Sequence, residues 1–254
     1  MKELFGVEGR VILITGASRG IGFAMAEALA EYGAHVILNS RDETALREKV
    51  RALTERGLKA SYQVFDVTDS EAGKNAFQTI VEEFGSFYGL VNNAGIQFRS
   101  PILDFSDEDF DLVIRTNLTS CFSLSREAIR LMQGNGGGRI VNTVSMLGPQ
   151  ARPTVPAYIA AKEGLRALTR ALAVEVGASG ILVNAIAPGY IATELNTALL
   201  ENQEFSDWVI SKTPLGRWGQ PHELGGAAVF LMSEAGSFVN GQILSIDGGM
   251  SIQV

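Results

Sequence analysis

The sequence predicts an α/β fold in which a doubly wound, seven-stranded parallel sheet is flanked by helices. Three observations predict it. Short apolar, β-branched runs alternate with helix-length amphipathic stretches from end to end, the pattern of successive βαβ units. These runs are almost continuously apolar, as strands covered by helices on both faces must be. Glycine is in excess, 28 of 254 residues against a typical ~7%, without a collagen-like period, so many tight backbone turns have to be placed.

The strands are expected at Val11 to Thr15, His35 to Asn39, Ser61 to Phe65, Gly89 to Asn92, Arg139 to Thr143, Leu182 to Ala187 and Gln242 to Ile246. The helix over Asp42 to Gly57 begins with an acidic capping residue and ends at a glycine. Ser106, followed by Asp107, Glu108 and Asp109, places a cap and favourable negative charge at another helix start. The loop Gly134 to Arg139 reads as the turn between a long helix and the fifth strand. The leucine-rich stretch Ile191 to Thr213, with Phe205 and Trp208, reads as a helical lid, about residues 190–213, within one domain over 1–254. No Pro- or Ser-rich linker divides the chain.

Composition narrows the function. With 46% hydrophobic and 19% charged residues the chain is not disordered, and no apolar run approaches the length of a membrane span. A net charge of -7 with no basic stripe argues against nucleic acid and leaves a small molecule as the expected partner. A lone cysteine, Cys121, cannot form an internal disulfide, and His35 and His222 stand too far apart in sequence to suggest a metal site. The N-terminus shows neither the apolar segment nor the cleavage site of a secretory signal, so a cytoplasmic address is expected.

In VILITGASRGIG, glycines 16, 20 and 22 stand where a strand turns into a helix, with Ser18, Arg19 and Ile21 between them. Small residues there permit a tight turn, backbone approach to a pyrophosphate and close packing of helix on sheet; a merely tight turn is the bland alternative. After the second strand comes Leu38-Asn39-Ser40-Arg41. A carboxylate for the ribose hydroxyls is missing there, whereas Ser40 and Arg41, with Arg19, suit a 2′-phosphate, which favours NADP over NAD. Asp66 and Val67 are placed to meet an adenine, although Asp66 would equally cap a helix. Asn93, Ala94 and Gly95 would let a nicotinamide-ribose lie against backbone.

Tyr158 and Lys162 are four apart, on one face of a helix. A free tyrosine, with pKa about 10, is a poor acid–base catalyst near neutrality; a nearby ammonium favours its phenolate. Ser145 ends the fifth strand on the ligand side of such a sheet. Asn117, a poor helix former in a helical stretch, needs a local reason, either a buried hydrogen bond or a relay water.

Together TGASRGIG, NNAG, Asn117, Ser145, YIAAK and PGYIAT resemble the short-chain dehydrogenase/reductase family, over essentially the whole chain. The resemblance implies a Rossmann-type fold with Asn117, Ser145, Tyr158 and Lys162 as catalytic tetrad. It implies that the serine orients the substrate oxygen and the tyrosine is the general acid/base. The lysine then binds the nicotinamide ribose while lowering the tyrosine pKa, and the asparagine holds a relay water. It further places Pro188, Gly189, Ile191 and Thr193 against the nicotinamide and implies a homotetramer, for which the helices of Asn117 and Tyr158 and the C-terminal strand through Val254 are candidate interfaces.

Within the family, NNAGIQFRSP, Ala151 to Val155, PGYIATELNTAL, EFSDWV and TPLGRWGQPHEL resemble gluconate 5-dehydrogenases and relatives acting on 2-keto-3-deoxygluconate. That implies NADP-linked interconversion of D-gluconate and 5-keto-D-gluconate, or of a related sugar acid. A sugar acid needs a cation for its carboxylate and polar groups for its hydroxyls. Arg152 is the first candidate, with Gln150, Asn196, Arg99 and Trp218 in neighbouring segments. One departure is Gly148-Pro149-Gln150, where those enzymes usually carry a glutamate. A 3-oxoacyl-[acyl-carrier-protein] reductase and a non-catalytic dinucleotide-binding regulator are the alternatives.

Overall fold

The structure, a computed structural model, describes residues 2–253. Val254, the end of the proposed C-terminal interface, lies outside the described residues. The strands are β1 (Val11–Ile14), β2 (His35–Ser40), β3 (Ala60–Val64), β4 (Gly89–Asn92), β5 (Gly138–Thr143), β6 (Ile181–Pro188) and β7 (Ile243–Ile246). All pair in parallel, in the order β3-β2-β1-β4-β5-β6-β7. The winding reverses between β1 and β4, and the crevice beyond the strands' C-terminal ends opens there.

The helices are α1 (Lys2–Phe5), α2 (Gly20–Glu31), α3 (Glu43–Thr54), α4 (Ser70–Phe84), α5 (Asp107–Ile114), α6 (Ser120–Met132), α7 (Pro156–Val176), α8 (Thr197–Leu200), α9 (Gln203–Lys212) and α10 (Gly225–Met232). Successive strand residues point to opposite faces, so each strand feeds two cores. Ile12 and Ile14 pack with Met25 and Leu29 of α2 and with Val229 and Met232 of α10. Val11 and Leu13 pack with Phe77 and Ile80 of α4 and with Leu124 and Ala128 of α6. Among the described residues no helix is long and apolar enough to cross a membrane.

The expected caps form. Asp42 accepts a hydrogen bond from the Ala45 amide at 3.0 Å, and Ser106 from that of Asp109 at 3.1 Å. Below the crevice a buried polar chain ties helices to sheet. Asn92 of β4 donates to Ser125 of α6 at 3.0 Å and to Asn142 of β5 at 2.9 Å, and Asn142 donates to Thr169 of α7 at 2.9 Å. Directional bonds of this kind, buried away from water, fix the helices against sliding along an otherwise apolar sheet face.

Candidate active site

A cleft of about 510 Å³ runs across the C-terminal ends of β1, β2, β4, β5 and β6. Its floor at β1 is set by absent side chains. A Cβ on Gly16, whose φ is +63°, would stand 2.8 Å from the Ala94 Cα, and one on Gly22 would meet the Gly16 carbonyl and come 2.5 Å from the Asn93 amide nitrogen. That amide donates to the carbonyls of Thr15 and Gly16 at 3.1 and 3.2 Å. The Thr15 hydroxyl accepts from the Asn93 and Ala94 backbone amides at 2.9 and 3.0 Å, stitching the β1 turn to the end of β4. Sequence reading passed over Thr15; its place just before the first turn glycine was the available signal.

The cleft walls include Gly16, Ser18, Arg19, Gly20, Ile21, Gly22, Ser40, Arg41, Asp66, Val67, Asn93, Ala94, Gly95, Pro188, Gly189, Ile191 and Thr193, so every residue expected to hold a dinucleotide comes to one surface. Arg41 lies 3.5 Å from the Asp66 carboxylate, and Arg19 lies 4.0 Å from Glu194 across the cleft mouth. Burial raises the Asp66 pKa, but the Thr68 amide and hydroxyl and the Arg41 guanidinium outweigh it and hold the carboxyl below its usual range. Asp66 therefore serves Thr68 and Arg41 as well as facing the cleft. Asn39 is buried, with its amide nitrogen bonded to the Gln63 and Phe65 carbonyls and its oxygen unpartnered. A side-chain-free cradle, two arginines and an uncommitted polar edge fit a phosphorylated dinucleotide.

Deeper in the cleft stand Ser145, Tyr158 and Lys162. The Ser145 hydroxyl accepts from the Leu147 amide at 3.0 Å and lines the same cleft as Tyr158. Tyr158 keeps contact with solvent through the cleft, yet the burial of its hydroxyl raises its pKa more than the Ser145 bond and the Arg99 charge lower it. Lys162 is buried, which depresses its pKa, and its ammonium donates to the Thr143 carbonyl at 2.6 Å while lying 5.6 Å from the Tyr158 ring centroid. The ammonium thus stands near the phenol, but burial governs the direction of the tyrosine's shift.

Asn117 lies behind the cleft wall, wholly buried, in a π-helical turn over Arg115–Thr119 that joins α5 to α6. Its amide accepts from the Ile96 N–H at 2.9 Å and donates to the Ile96 carbonyl at 2.8 Å. The local reason for an asparagine in this helix is therefore a buried pair of hydrogen bonds, one to its carbonyl and one from its amino group. A Cβ on Gly95 would stand 3.3 Å from the Asn117 oxygen and 3.7 Å from the Lys162 nitrogen, so Gly95 permits the close approach of these elements.

At the outer end, Arg99, Arg152, Asn196 and Tyr190 line the cleft. Burial and the neighbouring Arg152 charge both push the Arg99 pKa down. Two expectations need correction. Gln150 does not line the cleft; its amide donates to the Ser251 carbonyl at 3.0 Å, because its loop packs against the C-terminal turn. Trp218 is buried behind Tyr190, with ring centroids 5.6 Å apart, and supports the wall instead of forming it. Tyr190, unassigned from sequence, is the residue that reaches the cleft; an aromatic directly after the Pro188-Gly189 turn was its signal.

Comparison with known proteins agrees with this geometry. The family model described as enoyl-(acyl carrier protein) reductase matches residues 16–251. Gluconate 5-dehydrogenase of Gluconobacter oxydans is 44% identical over 99% of this chain and 98% of its own. 5-Keto-D-gluconate 5-reductase of Escherichia coli is 42% identical over 100% of both. The crystal structure of a gluconate 5-dehydrogenase from Burkholderia cenocepacia in complex with NADP and tartrate superposes with a TM-score of 0.96 at 42% identity, covering 100% of this chain and 99% of that one. With the seven-stranded parallel sheet, the glycine cradle and the Ser145, Tyr158 and Lys162 cluster, these likenesses show that the chain belongs to the short-chain dehydrogenase/reductase family of oxidoreductases.

Proposed function

We propose that the chain is an NADP-linked oxidoreductase that interconverts D-gluconate and 5-keto-D-gluconate, or a closely related sugar acid. One observation carries the substrate class. Arg99 and Arg152 line the same cleft as Tyr158, and neither pairs with a carboxylate among the described residues. Two guanidiniums with no carboxylate partner, beside a proton donor, suit an anionic substrate, because a guanidinium fork matches a carboxylate and no protein carboxylate competes for it. The names of the relatives, which act on gluconate or its 5-keto form, support the same reading.

A bound nicotinamide dinucleotide supplies or accepts the hydride. The chain's own residues bind and protonate. Arg41 and Arg19 take the 2′-phosphate, the Gly16 to Gly22 turn takes the pyrophosphate, and Gly95 with Lys162 receives the nicotinamide-ribose side. Tyr158, a phenol protonated at neutrality, gives its proton to the substrate oxygen during reduction, and Ser145 hydrogen-bonds that oxygen. Asn117 holds the backbone at Ile96, keeping the Gly95 segment against Lys162. Arg152 and Arg99 hold the carboxylate, and Asn196, whose amide donates to the Ile191 carbonyl at 2.9 Å, borders the hydroxyl side. Residues 190–213 act as the lid of a single domain.

A panel of 5-keto-D-gluconate, 2-keto-3-deoxygluconate and an acetoacetyl thioester, each with NADPH and NADH, tests the reading. Preference for a keto-sugar acid with NADPH is expected; preference for the thioester would transfer the chain to acyl-carrier chemistry. Tyr158→Phe is expected to abolish turnover while leaving NADPH binding measurable by fluorescence. We further propose a cytoplasmic homotetramer. Exposed Phe122 on α6, Val174 on α7, Leu244 on β7 and Ile252 beyond it support an interface at the surfaces expected from the family.

A further inference from the structure

The cation that receives the substrate carboxylate is itself held from behind. The Arg152 guanidinium carbon lies 4.4 Å from the centroid of the Phe205 ring, and its Nη1 donates to the Tyr190 hydroxyl at 3.4 Å. Arg152 lines the cleft and Phe205 does not, so Phe205 meets the guanidinium without meeting the substrate. The ring is itself fixed. Phe205 lies in the first turn of α9, where the Asn202 side chain accepts from its amide at 2.9 Å, and the Trp218 indole donates to the adjacent Ser206 hydroxyl at 3.0 Å. Tyr190 packs edge-on against Phe205, Trp208 and Trp218, with centroids 5.6, 6.0 and 5.6 Å away.

Arg99 and Arg152 line the same cleft, and two like charges there do not hold each other in place. A long arginine side chain with no carboxylate partner needs another contact to stay in one position. An aromatic face attracts a guanidinium through its quadrupole and offers it no competing negative charge. A carboxylate partner would neutralise the arginine and compete with the substrate; a ring does neither.

We propose that Phe205 is a positioning residue for substrate specificity, holding Arg152 in the cleft so that the enzyme prefers sugar acids to neutral sugars. The proposal rests on the assignment of Arg152 to the substrate carboxylate. It also gives the lid helix a part in recognition, because the ring belongs to α9 whereas the arginine belongs to the loop before α7.

The test compares 5-keto-D-gluconate with L-sorbose, the neutral ketose in which CH2OH replaces the carboxylate, in steady-state assays with NADPH. Phe205→Leu keeps an apolar side chain but removes the π face. It is expected to raise KM for 5-keto-D-gluconate about tenfold, with kcat, KM for NADPH and kcat/KM for L-sorbose within about twofold of wild type. Phe205→Tyr, which restores the ring, is expected to restore the KM. Equal losses on both substrates, or a Tyr variant as impaired as the Leu variant, would mean that Phe205 merely packs and would overturn the proposal. Arg152→Met separates the two ideas. If Arg152→Met leaves the preference for the acid intact, the carboxylate assignment fails and this proposal with it. If it erases the preference while Phe205→Leu does not, only the role of the ring fails.

Discussion

At Gly22 a single methyl would enter space occupied by the Gly16 carbonyl and the Asn93 amide. Gly22→Ala therefore has to push α2 away from the β1 turn and break the Asn93 stitch. Overpacking of this kind costs about 1–3 kcal/mol, and the variant is expected to lose NADPH affinity at least tenfold, measured by fluorescence titration, because the cradle for the pyrophosphate is displaced. Wild-type affinity would show that the turn adapts. Arg41 makes a different kind of contribution. It already touches Asp66 at 3.5 Å, an exposed pair of little energetic weight, so the charge remains available to a phosphate. Arg41→Ala is expected to raise KM for NADPH about 10- to 100-fold, as loss of a charge-assisted bond does, with little effect on NADH. Equal losses with the two cofactors would remove the phosphate assignment.

Among the elements, the loop before α10 is held by one carboxylate. Glu223 accepts from the two Arg217 Nη groups at 2.8 and 2.7 Å and from the Gln220 amide at 2.7 Å. Hydrogen bonding to Arg217 and then to Gln220 lowers the Glu223 pKa from 4.5 to about 2. A carboxyl depressed in this way stabilises the fold fully above its unfolded pKa and loses that effect as pH falls toward the folded value. Glu223→Gln is accordingly expected to lower Tm at pH 7, with the gap to wild type shrinking as pH drops below 4.5 toward 2. A gap that stays constant down to pH 3 would show that the carboxylate charge contributes nothing. The C-terminal turn offers a second case. Asp247 accepts from the amides of Gly249 and Ser251, both at 2.9 Å, which shapes the turn whose Ser251 carbonyl receives Gln150. Met250 packs on Met146 and Leu147, and the Leu147 amide holds Ser145. Gln150→Leu, losing one such bond, is expected to reduce kcat about two- to tenfold with NADPH binding unchanged; an unaltered kcat would show that the turn does not position Ser145.

Across the whole molecule, all seven strands were legible within about two residues at each end. Continuous β-branched runs bounded by turns can form little else. The caps at Asp42 and Ser106 were equally legible, because a cap is a contact over a few residues of chain. The π-helical turn at Asn117 was not, since its cause is Ile96, 21 residues away in sequence. The same limit applies to assembly. Val174 and Phe238, 87% and 103% accessible, are apolar side chains that the proposed assembly would have to cover. Light scattering of the purified protein is expected to report a tetramer, and Val174→Glu to shift it toward smaller species; a wild-type monomer would sink the assembly proposal.

The order of residues along the chain by itself made the parallel sheet, the glycine turn and the one-face placement of Tyr158 and Lys162 legible, because each depends on period or on spacing within one or two elements. The grouping of Ser145, Tyr158 and Lys162 into one set came from the family resemblance. Only the tertiary structure decided that Arg99 and Arg152 share a cleft, that Gln150 turns away to the C-terminal turn, and that Phe205 backs Arg152. Those outcomes depend on which loops the folded sheet brings together. Contacts between loops distant in sequence are set by packing and charge in three dimensions, and leave no period to read.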